Sequence, residues 1–371
     1  MLSLPIPRFV FVIGFLFVFA FAITAQTPTP TPKIDDDAGV VKVESRLVVV
    51  PVAVTDTSGQ PVLGLKAADF RVLEEGKQQV IDQVGDAEKV PLEIALLFDV
   101  SSSTDPLFEF EKKAAAQFLQ TVMKPEDRAT IFLIGERPVS LAASQNAVQA
   151  AATLQSISPA SKITPTAFYD TVVSAATYLQ RNSPLRSRRV IVALTDGEDN
   201  WSSMTQAAEM ATYRDVDVNN LTQEKRNELA AKSDAAHTKA RTKILKDLQD
   251  ADTVFYAVNP AGASFRVNKI SVRAQGGLER FAAETGGTAF LPKFAPTDTK
   301  DTLQNAGNTR KNQATLELIF QQLASELRAQ YLVQYYPETE FPLGRFVKLD
   351  VSLTNPTGRK VRARQGYYVK Q

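Results

Sequence analysis

Cysteine is absent from this chain of 371 residues, and histidine and tryptophan each occur once. Without cysteine there is no disulfide, no lipid-modified N-terminal cysteine and no thiolate metal site. The single histidine, His237, lies in a charged stretch, and no Gly-x-Ser-x-Gly elbow supplies the nucleophile of a Ser-His-Asp hydrolase. A Gly-x-x-x-x-Gly-Lys-Ser/Thr phosphate loop is also missing. These absences favour binding over catalysis.

The chain also lacks an excess of charge of either sign. Lys and Arg number 42, Asp and Glu number 41, and the formal net charge is +1. Proteins that bind nucleic acids or adsorb on anionic membranes usually carry a clustered excess of basic residues. The composition therefore predicts no nucleic-acid partner and no electrostatic adsorption to a membrane.

A hydrophobic run from Phe9 to Ala25 follows Arg8 near the start of the chain. Small residues end this run, which is typical of a secretory signal peptide cleaved after Ala22 or Ala25. The run is close to the roughly 17-residue lower limit of a membrane span, so an uncleaved anchor is the alternative. We expect residues 1–25 to be a leader and the protein to be exported, to the periplasm, the cell surface or the medium.

The two ends of the remaining chain both have the composition of β-strands, and a linker precedes the first of them. Residues 26–40 form a linker rich in Thr and Pro, which favours an extended spacer. Residues 41–89 and 329–371 are rich in β-branched and aromatic residues interrupted by turn residues, a pattern typical of strands. Because isolated hairpins are marginal in water, we expect these two segments to pair into one β-sandwich.

Residues 90–328 alternate strand and helix patterns, which predicts an α/β domain with a doubly wound, mostly parallel, Rossmann-like sheet. Apolar runs typical of strands occupy residues 93–98, 128–134, 189–194 and 253–258, and helical patterns occupy residues 107–122, 142–157, 167–179, 278–285 and 316–327. A charged stretch at about 201–250 is expected to form an inserted helix or helical hairpin. It is either a solvated surface element or one that shapes the choice of partner.

Three polar segments adjoin these predicted elements. Asp99-Val-Ser-Ser-Ser103 follows one strand, Asp196 follows another, and Thr166 precedes a helix. Ligands of open α/β sheets collect beyond the carboxyl ends of the strands, so we expect Asp99, Ser101, Ser103, Thr166 and Asp196 to meet there. The alternative for the first segment is that it only ends a strand and caps the next helix.

The oxygen atoms of these five side chains indicate which ion they would hold. Carboxylates and hydroxyls suit Mg²⁺, Mn²⁺ or Ca²⁺ better than zinc or copper, and a site with few carboxylates favours Mg²⁺. Two aspartates balance the charge of one divalent ion. Neutral hydroxyl ligands leave that ion able to accept a carboxylate from outside.

The same five residues, in the same order, resemble the metal-ion-dependent adhesion site of the von Willebrand factor type A (VWA) domain, whose pattern is Asp-x-Ser-x-Ser, then Thr, then Asp. The resemblance covers about residues 90–328. A tail in which Arg362, Arg364, Gly366 and Tyr367 match is similar to secreted bacterial proteins of this class.

The resemblance implies that the five residues hold a divalent ion and that a partner protein completes its coordination with an Asp or Glu. It also implies that Asp170 and Glu198 hold the ligands in position without contacting the ion. It leaves open whether Thr166 reaches the ion directly or through water. We therefore expect an exported, metal-dependent protein-binding module of the adhesion type.

Two other functions, a phosphatase and an envelope scaffold, are alternatives to this one. An aspartyl-phosphate phosphatase needs a second carboxylate two residues after the first, where this chain has Ser101, and no matched general base is evident, so no enzymatic activity is expected. The second alternative is an envelope scaffold or assembly component in which the ion is purely structural. The sequence identifies neither the partner nor the oligomeric state.

Overall fold

The computed structural model describes residues 47–101, 108–159, 164–214, 216, 220–260, 269–297 and 299–370. The predicted leader, the linker and Ser103 lie outside the described residues. In the part of the chain that is described, no helix has the length and apolarity needed to cross a membrane.

The described residues contain fourteen strands and seven α-helices. The strands are β1 (Val48–Asp56), β2 (Phe70–Glu74), β3 (Lys77–Gln79), β4 (Ile81–Asp86), β5 (Leu92–Asp99), β6 (Arg128–Ile134), β7 (Val139–Gln145), β8 (Arg188–Leu194), β9 (Thr253–Val258), β10 (Ala289–Phe290), β11 (Tyr331–Tyr335), β12 (Phe346–Leu353), β13 (Arg359–Ala363) and β14 (Gly366–Tyr368). The helices are α1 (Phe108–Val122), α2 (Ala147–Gln155), α3 (Phe168–Asn182), α4 (Ser203–Tyr213), α5 (Gln223–Asp250), α6 (Lys269–Thr285) and α7 (Thr302–Arg328).

The centre of the fold is a six-stranded sheet in the order β10-β9-β8-β5-β6-β7. Its strands are parallel except for β7, which runs antiparallel to β6 at the edge. The strands β5, β8 and β9 are almost uninterrupted apolar runs because helices cover both faces of the sheet. One core lies between the sheet and α1, α2 and α7, and the other between the sheet and α3, α5 and α6. The predicted mixed α/β fold with a mostly parallel sheet is confirmed.

The helix predicted over residues 142–157 was wrong at its start. Residues 142–145 belong to β7, and α2 begins only at Ala147. Asn146 fixes this start because its Oδ1 accepts the Gln149 N–H at 3.0 Å, while the Gln149 side chain accepts the Asn146 N–H at 3.2 Å. This reciprocal cap ends the strand and begins the helix within one residue.

The charged stretch forms two helices, α4 and α5. The longer one, α5, has a solvated face and a buried face on which Leu229, Ile244 and Leu248 lie. Ile244 and Leu248 join the core shared with α3. His237, on the same helix, is 2% exposed and packs edge-on against the Tyr169 ring at 5.8 Å.

Strands from both ends of the described chain share two antiparallel four-stranded sheets, in the orders β13-β1-β11-β4 and β14-β12-β2-β3. In the first, β1 pairs with β11 and β13; in the second, β12 pairs with β2 and β14. The segment at 361–369, which reads as one strand in the sequence, divides into β13 and β14 because its two halves pair in different sheets.

A buried carboxylate connects the two sheets through hydrogen bonds. Glu74 on β2 accepts the hydroxyl protons of Tyr335 on β11 at 2.7 Å and of Tyr367 on β14 at 2.8 Å. Side chains of both sheets, including Val50 and Leu349, belong to one apolar cluster. The N-terminal and C-terminal strands therefore stabilise each other.

Asp127 links the start of the central sheet to its last helix. Its carboxylate is 1% exposed and accepts the backbone N–H groups of Leu92 and Lys124, each at 2.7 Å. It also pairs with the Arg328 guanidinium at the end of α7, at 2.6 Å. Because the Arg328 side chain is largely buried too, neither partner of this ion pair can be removed without leaving the other in a poorly solvated position.

We expect Asp127→Ala to lower the free energy of unfolding by about 3–5 kcal/mol, since it leaves a buried guanidinium unpaired. The measurement is the urea midpoint of the purified protein. Asp350→Ala, on an exposed position of β12, is the matched control and should leave the midpoint nearly unchanged. Equal midpoints for both variants would contradict the stabilising role of Asp127.

Candidate metal centre

The predicted ligands that the structure describes lie at the carboxyl ends of two neighbouring parallel strands. Asp99 is the last residue of β5, and Asp196 lies just beyond the end of β8, which pairs with β5 up to Phe98 opposite Leu194. Thr166 lies just before α3. Ser103, the remaining predicted ligand, lies outside the described residues.

Asp99 is surrounded by hydrogen-bond donors. Its Oδ1 accepts the backbone N–H of Ser101 at 2.9 Å and the Ser101 hydroxyl at 2.6 Å. Its Oδ2 accepts the Thr195 hydroxyl at 2.7 Å. Burial raises the pKa of Asp99, the donors on Ser101 and Thr195 oppose that rise, and the negative charge of Glu198 adds to it. Asp99 and Ser101 are thus in direct contact, as a shared metal site requires.

Asp196 interacts electrostatically with the same carboxylate. Burial raises the pKa of Asp196 to about 6, a backbone hydrogen bond from Glu198 at 2.9 Å opposes the rise, and the charges of Asp99 and Glu198 add to it. Two aspartates therefore repel each other in a partly buried crevice. A divalent cation between them would remove this repulsion.

Gly197 allows the Asp196 loop to pack closely on α6. Its φ is +81°, and a Cβ at this position would lie 2.8 Å from the Cγ of Leu278. Any other residue would have to adopt a left-handed conformation and displace that side chain. The loop that carries Asp196 thus depends on glycine at its second position.

The loop after Asp196 also holds Thr166. The Thr166 N–H donates to the Asn200 Oδ1 at 2.7 Å, and its carbonyl accepts the N–H groups of Asn200 and Trp201, both at 3.0 Å. All of these bonds involve the Thr166 backbone, and no hydrogen bond to its hydroxyl is present among the described residues. These contacts fix the backbone of Thr166 relative to the loop that carries Asp196.

The two residues predicted to support the ligands have different surroundings. Glu198 accepts the Ser271 hydroxyl at the start of α6 at 3.1 Å, and its charge acts on both aspartates. Asp170 instead caps α4: its carboxylate accepts the Ser203 N–H at 2.8 Å and the Ser203 hydroxyl at 3.1 Å. The Asp170 carboxylate therefore positions a neighbouring helix.

Sequence reasoning missed Asp199, which is buried at the centre of this loop. Its Oδ1 accepts the Tyr169 N–H at 3.1 Å and the Ser202 hydroxyl, and its Oδ2 accepts the Thr205 hydroxyl at 2.8 Å. Burial raises its pKa, and these donors oppose the rise. Residues 196–199 are Asp-Gly-Glu-Asp, and nothing in that string distinguishes the buried carboxylate of Asp199 from the other two.

The donors in this crevice fit a hard divalent cation. The Asp99 carboxylate contacts the hydroxyls of Ser101 and Thr195, and the charges that act most strongly on Asp99 and Asp196 are negative. Across the described ranges, no group of three or more His, Cys, Asp or Glu side chains is arranged to hold a metal ion. A metal site here would therefore need the Ser and Thr hydroxyls in addition to its two aspartates.

No protein-family model matches this chain, and no curated protein matches it. Among solved structures, it has partial similarity to an aerotolerance-related membrane protein from Bacteroides fragilis, with 15% identity over 60% of this chain and 99% of that chain and a TM-score of 0.34. It is similar to BatB from Bacteroides thetaiotaomicron, with 17% identity, coverage of 60% and 99%, and a TM-score of 0.33.

A third similar structure is proximal thread matrix protein 1 from the mussel byssus, in a form whose metal-ion-dependent adhesion site (MIDAS) motif is occupied by zinc. It shows 12% identity over 69% of this chain and 50% of that chain, with a TM-score of 0.39. The present chain thus spans half the length of the mussel protein. At these levels of similarity, the function of this chain has to be inferred from its own residues and contacts.

The raised pKa of Asp196 predicts how pH changes the stability of the metal-free protein. Its folded-state pKa of about 6 exceeds the ordinary aspartate value of 3.8, so the folded state holds this proton more tightly than the unfolded state. Stability contributed by this group is therefore present at low pH and is lost as pH rises from about 4 to 6. At 1.36 kcal/mol per pKa unit, the loss is at most about 3 kcal/mol.

We expect Asp196→Asn to be more stable than the wild type in EDTA at about pH 7.5, with the difference shrinking toward about pH 4.5. Urea unfolding of both proteins at the two pH values measures this difference. A gap that does not change with pH would show that Asp196 carries no raised pKa in the folded protein.

Proposed function

We propose that this chain is an exported, metal-dependent protein-binding module that resembles VWA domains. A divalent cation, Mg²⁺ or alternatively Mn²⁺ or Ca²⁺, would lie at the carboxyl edge of the six-stranded sheet. The observation that carries this proposal is the position of Asp99 and Asp196 at the carboxyl ends of neighbouring strands, where the charge of Asp99 raises the pKa of Asp196 and the hydroxyls of Ser101 and Thr195 hydrogen-bond to Asp99.

Each predicted ligand has a distinct part in the proposed site. Asp99 and Asp196 supply negative charge, and Ser101, Ser103 and Thr166 supply neutral oxygens. The ion would supply a positive charge and one coordination position for a carboxylate of the partner. Because the protein contributes only two charges, the site remains attractive to an Asp or Glu side chain from outside.

Binding is favoured over catalysis by what surrounds the crevice. His237, the one histidine of the chain, is buried and packed against Tyr169, so it is poorly placed to exchange protons with a substrate. The carboxylate of Asp199 is occupied by three donors, and that of Asp170 by two. Neither is free to act as a general base.

We further propose that the two four-stranded sheets form a β-sandwich beside the α/β domain. The apolar cluster shared by the sheets and the two tyrosine hydroxyls on Glu74 support this arrangement. Export would depend on residues 1–25 as a leader, and attachment to a membrane would need that leader to remain uncleaved.

The metal site is tested by titrating the apo protein with Mg²⁺ and with Mn²⁺ in a calorimeter. We expect one saturable site in the wild type and at least about a tenfold loss of affinity in Asp99→Ala, equivalent to 1.4 kcal/mol or more. Asp350→Ala is the control, since it removes an exposed aspartate on β12. Equal affinity in both variants would refute the assignment of Asp99 as a ligand.

The scaffold alternative, with a structural ion, requires a second experiment. Wild type and Asp196→Ala are used to capture proteins from envelope and extracellular fractions in Mg²⁺ and in EDTA, and melting is followed in the same buffers. An adhesive ion predicts capture that needs Mg²⁺ and Asp196, with little change in Tm, and the captured protein must bind again once purified. A large fall in Tm in EDTA with unchanged capture would identify a structural ion instead.

A further inference from the structure

An open groove of about 610 Å³ lies along the solvated face of α5, with Tyr368 on β14 in its wall. This volume is within the range of roughly 300–1,000 Å³ typical of ligand sites. The part of the wall that α5 supplies is one stripe of side chains: Ala235, Thr238, Lys239, Thr242, Lys243 and Lys246. These positions recur every three or four residues, so they share one side of the helix. None of the candidate metal ligands lines the groove, which is therefore separate from the crevice at Asp99.

The charged side chains that line this groove are all lysines. Lys239, Lys243 and Lys246 are exposed, and no acidic residue is among the described residues of the wall. Lys239 and Lys246 are two helical turns apart, which places them about 10 Å from each other along the helix axis. A ligand in the groove thus meets a row of accessible ammonium groups, and a row of one sign attracts anions.

Carboxylates near the groove offset this row only in part. The Lys243 Nζ lies 2.6 Å from the Asp247 Oδ2, but both side chains are partly exposed, and such a pair on a helix surface is weak. Burial raises the pKa of Asp250, and the charge of Lys246 opposes that rise, so these two groups interact at a distance. Lys239 pairs with no carboxylate among the described residues. The groove therefore keeps a positive charge.

Tyr368 gives the groove a fixed aromatic wall. It lies opposite Phe346 in the pairing of β14 with β12, and the centroids of the two rings are 5.1 Å apart. The Lys246 Nζ lies 5.1 Å from the centroid of the Tyr368 ring, a cation–π contact. Both contacts order side chains before a ligand arrives, which lowers the entropic cost of binding.

The neutral groups of the wall suit a ligand rich in hydroxyls. The Thr242 hydroxyl donates to the Thr238 carbonyl at 3.0 Å, so its oxygen can still accept a proton from a ligand. The Tyr368 hydroxyl forms no hydrogen bond with the described residues and can donate or accept. A sugar acid carries hydroxyls, a carboxylate and an apolar ring face, and each of these has a counterpart in the wall. A groove also receives a chain more readily than the flat surface of a bilayer.

We propose that this groove binds an acidic polysaccharide, a chain of sugar rings that bear carboxylates. Two of its carboxylates pair with Lys239 and Lys246, and a sugar hydroxyl donates to Thr242. A ring face packs against Tyr368 and the methylene groups of the lysines. An acidic peptide would satisfy the lysines but would leave the hydroxyls of the wall without partners, so it would bind less well.

The test is calorimetric titration of the full chain in EDTA and about 0.15 M salt, where long-range attraction between exposed charges is screened. The probes are a linear tetramer of galacturonic acid, its fully methyl-esterified form, a tetraglutamate peptide and a thymidine tetranucleotide. We expect saturable binding of the acid tetramer and at least about tenfold weaker binding of the ester, which keeps the rings but loses the charge. The peptide and the nucleotide should bind several-fold less tightly. EDTA makes this outcome independent of the proposed metal site.

Two double variants on the same helix are matched in charge. Lys239→Gln with Lys246→Gln removes two lysines of the groove and should weaken binding of the acid tetramer at least about tenfold. Lys225→Gln with Lys232→Gln removes two exposed lysines outside it, both of which pair with Glu228 at 2.8 Å. This second variant should bind like the wild type. An equal loss in both would show attraction by net charge alone and overturn the proposal.

Substitutions at Thr242 test the groove without changing its charge. Thr242→Trp fills the groove and should abolish binding, whereas Thr242→Ser keeps the hydroxyl and should bind like the wild type. Because Thr242 is exposed, both variants should fold, and urea unfolding of each checks this.

Three further results would overturn the proposal. The first is no saturable binding of the acid tetramer to the wild type up to about 10 mM. The second is an ester, peptide or nucleotide that binds as tightly as the acid tetramer. The third is a Thr242→Trp variant that binds like the wild type.

Discussion

Two carboxylates held close together at one edge of a parallel sheet are the constraint on which the rest of this structure depends. Because β5 and β8 are hydrogen-bonded neighbours, the residues that follow them emerge side by side, and burial there raises the pKa of both Asp99 and Asp196. The hydroxyls of Ser101 and Thr195 stabilise the charge on Asp99 only in part. The cation proposed above would relieve the repulsion between the two carboxylates.

The surrounding loops hold this pair in place through backbone contacts. Asn200 binds the Thr166 backbone on both its N–H and carbonyl sides, and Asp199 joins the starts of α3 and α4. Asp199 accepts the Tyr169 N–H in the first turn of α3, and Asp170 accepts the Ser203 N–H in the first turn of α4, so carboxylates of the chain satisfy both helix starts. The loops beside the proposed cation site are thereby fixed by hydrogen bonds within the chain.

Apolar patterning was a good guide wherever burial alone decides structure. The sequence predicted β6 and β9 with the bounds that the structure has, because both are largely apolar runs buried in the central sheet. Apolar patterning failed where a capping hydrogen bond or the choice of a partner strand sets the boundary of an element. Asn146 lies between the end of β7 and the start of α2, and residues 361–369 divide between two sheets. The periodicity of apolar residues shows neither boundary. For the site, the sequence named the residues that could hold an ion, but the inward orientation of Asp199 depends on contacts made only after folding.

The interlocking of the two chain ends has a consequence for how this protein forms. β1 pairs with β11 and β13, and β2 pairs with β12, so neither outer sheet can be completed before the last strands of the chain have been synthesised. Such distant partners make closure slow, whereas the α/β part between them has nearer contacts and can assemble earlier. Until those strands have been made, β1 lacks a partner on both of its edges, and exposed strand edges promote aggregation.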